Sequence, residues 1–181
     1  MQVTLLQPKH RRPLCRLEEK KNTLGLVQAF ELFLKNNPES QHRLVLIGKP
    51  GFGFDKGRQA IEASSFKGRF VLPGWISTLE TAALLRQAAA LVFPSFYEGF
   101  GIPVLEAMAS GVPVIASNTA ALPETCGNAA ILINPNKPGE IAAAMEEVLD
   151  PALRQELIAA GLKRAAQFSW RKCAEEVWRV F

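Results

Sequence analysis

FPSFYEGFGIPVLEAMASGVPVIA, residues Phe93 to Ala116, decides how this 181-residue chain is read. Ala90 to Phe93 is a short apolar run ended by Pro94, and Val112 to Ala116 is another. Each reads as a buried strand of a parallel sheet. Between them lie a loop and one short helix, with Pro103 at the first helical position and Gly111 at the C′ position. Gly99 and Gly101 let backbone amides approach a ligand with no side chain in the way. A helix opening after a glycine loop at the carboxyl end of a strand presents unpaired N–H groups and a partial positive charge, which suits a phosphate. The helix dipole supplies only about 0.3–1 kcal/mol, so other groups must contribute. Two carboxylates bracket the turn, Glu98 before it and Glu106 within the helix. Like charge keeps them off a phosphate, whereas carboxylates accept hydrogen bonds from sugar hydroxyls. A ligand with phosphate in the middle and polyols on both sides fits, and a nucleotide sugar has that form. The plain alternative is one loop glutamate and one helix-surface glutamate that bind nothing.

Glu98, seven intervening residues and Glu106, set in PSFYEGFGIPVLEAMASGVPVIAS, closely resemble the signature of the retaining glycosyltransferases of family 4. The resemblance runs from about Arg16 to Phe181 and includes KNTLGLVQAF, LPGWIS, LPE and the final FSW. GKPGFGFD is similar to bacterial mannosyltransferases of polysaccharide assembly. The resemblance implies an α/β fold with a doubly wound, Rossmann-like parallel sheet, the carboxyl-terminal half of a GT-B enzyme. It also implies that Glu98 holds the hydroxyls of the donor sugar and Glu106 those of the ribose. The amides of Gly99, Phe100, Gly101 and Ile102 would face phosphate and sugar. Arg16 and Lys21 match the family's arginine and lysine that hold the diphosphate. The turn carrying Trp75 and Ile76 would border the base. A guanidinium fork and an ammonium can neutralise the charge on a departing nucleoside diphosphate, and would stand in for a metal. An Asp-x-Asp magnesium site has no counterpart, because Asp55 and Asp150 are the two aspartates of the chain. The plain reading of Lys21 and Asn22 is that they open the next helix.

One well-buried domain is expected from the length and from a hydrophobic fraction of 48%. Residues 1–12 form an atypical amino-terminal segment and residues 13–181 the nucleotide-sugar-binding domain. In the family the first strand is an apolar run ending in Gly-Arg, whereas this chain has KHRRPLCRLEEKKN. Proline removes a ladder donor and charges need water, so these residues fit a central strand poorly. Either Val3 to Leu6 supplies part of a strand or this end is loosely ordered. Cys15 stands where the family has glycine, which crowds the phosphate approach. The three cysteines are widely spaced and read as buried thiols, neither a disulfide framework nor a zinc knuckle. No apolar run reaches the ~18 residues of a membrane span and MQVTLLQPKHRR lacks a signal-peptide core, so a cytoplasmic location is expected.

Positive charge gathers at Lys9, His10, Arg11, Arg12, Arg16, Lys20 and Lys21. It is a solvated basic face, a phosphate attractor or a contact with an anionic membrane surface, which leaves peripheral membrane association at the inner face open. No nucleic-acid partner is expected, because the cluster lacks interleaved aromatics. His10 and His42 give no base for a serine or cysteine triad.

Further along, Leu24, Val27, Phe30 and Leu34 share a helix face ending before Asn36-Asn37-Pro38. Arg43 to Ile47 is a strand. Gly48 opens a loop with Gly51, Gly53 and Gly57, whose spacing is one residue too long for a dinucleotide fingerprint. Phe70 to Leu72 is a strand, and Ser77 or Thr78 caps a helix through Ala88. Ser117 to Pro123 is a loop, Glu124 lies near a short helical turn, and Ala129 to Ile133 is the last strand. Ile141, Met145, Val148 and Leu149 make a stripe, Pro151 breaks it, and Leu153 to Phe168 is another helix. Ser169 caps a final helix whose Trp170, Ala174, Val177, Trp178 and Phe181 recur at core-facing spacing.

The expected function is a donor-binding domain that transfers a hexose, mannose from GDP-mannose or a related GDP- or UDP-hexose, with retention of configuration. The donor is a substrate, and no other cofactor and no metal are called for. A glycan or lipid-linked acceptor would bind through an amino-terminal half not contained in this sequence, so the chain alone would bind nucleotide and catalyse poorly. Two alternatives stay open: a non-catalytic nucleotide-sugar-binding module, and a domain of another two-domain sugar enzyme such as a nucleotide-sugar epimerase or phosphorylase.

Overall fold

A computed structural model describes residues 3–6 and 16–179. In chain order the elements are β1 (Val3–Leu6), β2 (Arg16–Leu17), α1 (Thr23–Asn36), β3 (Arg43–Ile47), β4 (Lys49–Pro50), α2 (Phe54–Ala63), β5 (Phe70–Gly74) and α3 (Thr78–Arg86). There follow β6 (Ala88–Phe93), α4 (Ile102–Ala109), β7 (Val114–Ser117), α5 (Leu122–Cys126), β8 (Ile131–Ile133), α6 (Pro138–Glu147), α7 (Pro151–Ala165) and α8 (Trp170–Trp178). Six strands form one sheet in the order β5-β3-β1-β6-β7-β8, and every pairing is parallel. This is the doubly wound α/β arrangement. Its strand order reverses between β1 and β6, and a crevice opens at the carboxyl ends of strands where that happens.

Alternate residues of the central strands enter opposite layers, as the period of two requires. Leu44, Leu46, Val92 and Ile115 join Phe30, Phe33, Ile141 and Met145 in the core under α1 and α6. Val45, Ile47, Leu91, Phe93 and Val114 join Val104, Met108 and Leu122 in the core under α4 and α5. Both sheet faces are therefore dry, which explains why these strands read as continuous apolar runs. Val3–Leu6 forms the central strand β1, paired with β3 on one side and β6 on the other. The KHRRP segment and Cys15 lie outside the described residues.

Three expectations need correction. The stretch from Gly48 to Gly57 is no simple loop: β4 pairs with β2 in a second, two-stranded sheet, and Gly57 lies inside α2. A Cβ on Gly57 would stand 3.0 Å from Thr23 Cγ2, so this glycine allows α2 to close on the start of α1. The aromatics of α8 are not core. Trp170 and Trp178 are 76% and 81% exposed, because periodicity marks an apolar stripe without stating what covers it. Cys126 is buried as expected, but Cys173, also on α8, is exposed.

Helix ends follow their local chemistry. Ser77 closes a capping box with Glu80, accepting from the Glu80 N–H at 3.2 Å while the Glu80 carboxylate accepts from the Ser77 N–H at 2.7 Å. Pro151 both ends the α6 stripe and opens α7, where Asp150 is the N-cap. Gly111 (φ 70°) takes the left-handed C′ position after α4. Among the described residues, no helix is long and apolar enough to cross a membrane. Ser77→Ala is expected to lower unfolding stability by about 1 kcal/mol, seen as a lower urea midpoint at unchanged slope.

Candidate functional site at the strand-order reversal

Two connections meet at the carboxyl ends of β1 and β6: the segment leading into α1, and the loop Pro94 to Gly101. Glu19 to Lys21 make a single 3-10 turn, and Asn22 follows in the left-handed conformation (φ 54°). Asn22 is buried. Its side-chain oxygen accepts from the Gly25 N–H at 3.2 Å, and its side-chain N–H₂ donates to the Pro135 carbonyl at 2.6 Å. Asn22 caps α1, and the turn before it aims Lys21 across the crevice toward Glu98. The Lys21 ammonium forms an ion pair and hydrogen bond with Glu98 Oε1, with side-chain exposures of 16% and 15%. Lys21 Nζ also lies 5.3 Å from the centroid of the Phe93 ring, a cation–π contact at the end of β6.

The glutamate loop is braced from three sides. Its Phe96 N–H donates to the Lys20 carbonyl at 2.8 Å. Its Phe96 carbonyl accepts from the Thr119 hydroxyl at 3.2 Å, and its Phe100 carbonyl accepts from the Thr125 hydroxyl. The Phe100 ring meets Phe168 edge to face at 5.7 Å. Gly101 (φ 92°) then turns the chain into α4 at a position where a Cβ would lie 2.6 Å from Leu122 Cδ2. Around Gly99 the space is open, with no atom within 4 Å of where a Cβ would sit. The N–H groups of Phe100, Gly101 and Ile102 have no acceptor among the described residues. Open amides at the positive end of a helix are an anion cradle.

Glu106 stands four residues after Ile102 on α4, so the two side chains share a face. It is partly buried, and burial raises its pKa above the ordinary carboxylate value. No side chain among the described residues pairs with it. The structure therefore unites Lys21, Glu98 and the amides of Phe100, Gly101 and Ile102, with Glu106 on the helix that grows from them. Trp75 and Ile76 follow β5, two strands and about 10 Å from β1 along the same carboxyl edge. Trp75 is half exposed and Ile76 partly buried. Arg16 contributes backbone to β2, and its side chain lies outside the described residues. No cluster of three or more metal-ligating side chains occurs among the described residues.

Sequence reasoning missed the Lys21–Glu98 pair, the Phe93 ring beneath it, and the Thr119 and Thr125 braces. None carries a local signal, since the paired residues lie 77 positions apart. Asn22 three residues before Gly25 was a partial clue, because a Cβ on Gly25 would lie 2.4 Å from Asn22 Oδ1.

A family model described as glycosyl transferases group 1 matches residues 14–164. Among curated proteins, the O-antigen chain mannosyltransferase B of Escherichia coli is 37% identical over 166 residues, covering 91% of this chain and 43% of its own length. Among solved structures, a sucrose-phosphate synthase from Thermosynechococcus elongatus superposes with TM-score 0.79 at 27% identity, over 99% of this chain and 44% of that one. An Anabaena protein, HepE, in complex with UDP and glucose gives TM-score 0.80 at 20% identity, over 98% and 47%. The chain spans less than half the length of each of these proteins.

The raised pKa of Glu106 has a consequence for stability. A carboxyl that holds its proton more tightly folded than unfolded makes the fold less stable as pH rises through that interval. Glu106→Gln is expected to raise Tm at neutral pH, the advantage over the parent closing as pH falls from the raised folded value toward the ordinary carboxylate value of 4.5. Calorimetric melting across that range reads it.

Proposed function

This chain belongs to the glycosyl transferases group 1 family, and from that premise we propose that it is the donor-binding half of a retaining hexosyltransferase that takes mannose from GDP-mannose. The family is glycosyltransferase family 4, whose members retain configuration, and the fold is the carboxyl-terminal half of the GT-B architecture. The observation that carries the proposal is the Lys21–Glu98 pair beside the open amides of Phe100, Gly101 and Ile102. A cation, a carboxylate and a helix amino end brought together at one edge of the sheet suit a ligand whose phosphates adjoin a sugar.

In this reading the diphosphate lies on the amides and on Lys21, with Arg16 as a second cation. Glu98 accepts hydrogen bonds from the hexose and Glu106 from the ribose, while the turn of Trp75 and Ile76 borders the base. The bond from the anomeric carbon to the diphosphate breaks as one to the acceptor oxygen forms, and the acceptor proton passes to the departing phosphate. The charge that accumulates on that phosphate is countered by fixed N–H dipoles and Lys21, groups that need no rearrangement during the step. Glu98 positions the sugar and forms no covalent bond to it. Mannose is favoured by the similarity to a mannosyltransferase, and a glycan or lipid-linked acceptor by that protein's O-antigen name. A nucleoside diphosphate ligand accords with the UDP and glucose named for HepE. The acceptor would bind across the cleft, on the amino-terminal half of the GT-B architecture.

Calorimetric titration with GDP, UDP and ADP, followed by their mannose and glucose conjugates, tests the proposal. GDP and GDP-mannose are expected to bind best, and Glu106→Ala to weaken both by roughly tenfold through the lost ribose contact. Tighter binding of UDP and its glucose conjugate would reassign the donor. Equally weak responses to all of them would remove the proposal.

A further inference from the structure

The ion pair between Lys21 and Glu98 bears on how the site treats spent donor. Each member is needed elsewhere when a nucleotide sugar is bound: Lys21 by the diphosphate, Glu98 by the hexose hydroxyls. We propose that Glu98 and the diphosphate compete for the Lys21 ammonium and that the hexose decides the competition, so the site favours an intact nucleotide sugar over the bare nucleoside diphosphate. The inference rests on the nucleotide-sugar reading above.

The argument follows from burial and charge. Both side chains are about five-sixths removed from solvent. A carboxylate so placed is costly to leave without a partner. If Lys21 swings to a diphosphate, Glu98 loses its counter-charge and faces a second anion. Hexose hydroxyls repair this by donating hydrogen bonds to Glu98, and the intact donor therefore frees Lys21 at little cost. A nucleoside diphosphate brings no such donors. Glu98 then recaptures Lys21, and the diphosphate keeps the amide cradle but loses a cation. The direction suits a transferase: once the hexose has left, the pair re-forms and the leaving nucleotide is loosened. Phe93 supports the exchange, because its ring face holds the ammonium near both partners as it shifts.

The test is a double-mutant cycle on the 181-residue chain, read by calorimetric Kd for GDP and GDP-mannose, or for UDP and UDP-glucose should the chain prefer them. Glu98→Gln is expected to tighten the bare diphosphate by roughly tenfold, within the usual range of coupling between sites, and to weaken the sugar conjugate. On a Lys21→Met background the gain should vanish, since there is no ammonium to release. Glu98→Asp, which shortens the reach to Lys21 by one methylene, should move both affinities the same way by less, and it serves if the Gln variant melts early. An unchanged diphosphate Kd in Glu98→Gln overturns the inference. So does a gain that persists beside Lys21→Met, which would mean simple repulsion between Glu98 and phosphate. The parent chain reports separately on the underlying reading: binding of nucleotide without this pattern discards the inference alone, and failure to bind any nucleotide discards both.

Discussion

The site exists because β1 and β6 lie side by side at the centre of a parallel sheet while α1 and α4 pack on its opposite faces. That arrangement brings the segment before α1 and the loop before α4 together at the carboxyl edge. The Lys21–Glu98 pair fastens the meeting point. Everything else nearby holds that pair in place: Asn22 in its left-handed turn, the Lys20 carbonyl on the Phe96 N–H, and Thr119 and Thr125 on the loop carbonyls. The loop is thus fixed through its backbone, which leaves the amides of its last turn free for an anion.

Some features at this edge cost stability. Asn22 and Ala120 are the described non-glycine residues with positive φ, at 54° and 52°, and both adjoin the site. A left-handed residue costs about 1–2 kcal/mol relative to the right-handed form, least for asparagine. Glu106 is held partly buried without a side-chain partner among the described residues, and Gly101 admits no side chain. Burial of large apolar side chains on both sheet faces, at roughly 1.5–3 kcal/mol each, supplies the margin for such features. Concentration of strain and unpaired polarity at one edge of an otherwise well-packed sheet is the pattern of a binding site.

Strands, most helices and the turn around Gly101 were legible because each depends on neighbours in sequence. Alternating dry faces, Pro103 and Gly111 at the ends of α4, and Ser77 ahead of α3 are local signals with local causes. Failures have a common origin. A helix over Phe54 to Ala63 was hidden by Gly57 and the glycines before it, and Gly57 is explained only by the closeness of Thr23. The stripe on α8 has core-like periodicity, yet no residue of that helix is buried. Whether an apolar face is covered depends on what else is folded beside it, which periodicity does not encode.

From the sequence alone came the fold class, the glycine turn, and Glu98 and Glu106 as its two carboxylates, since these follow from residue type and short spacing. The order of strands, and with it the contact between residues 21 and 98, was decided only in three dimensions. Backbone pairing sets which connections become neighbours, and only then can an ammonium and a carboxylate distant along the chain share one nearly dry space and neutralise each other.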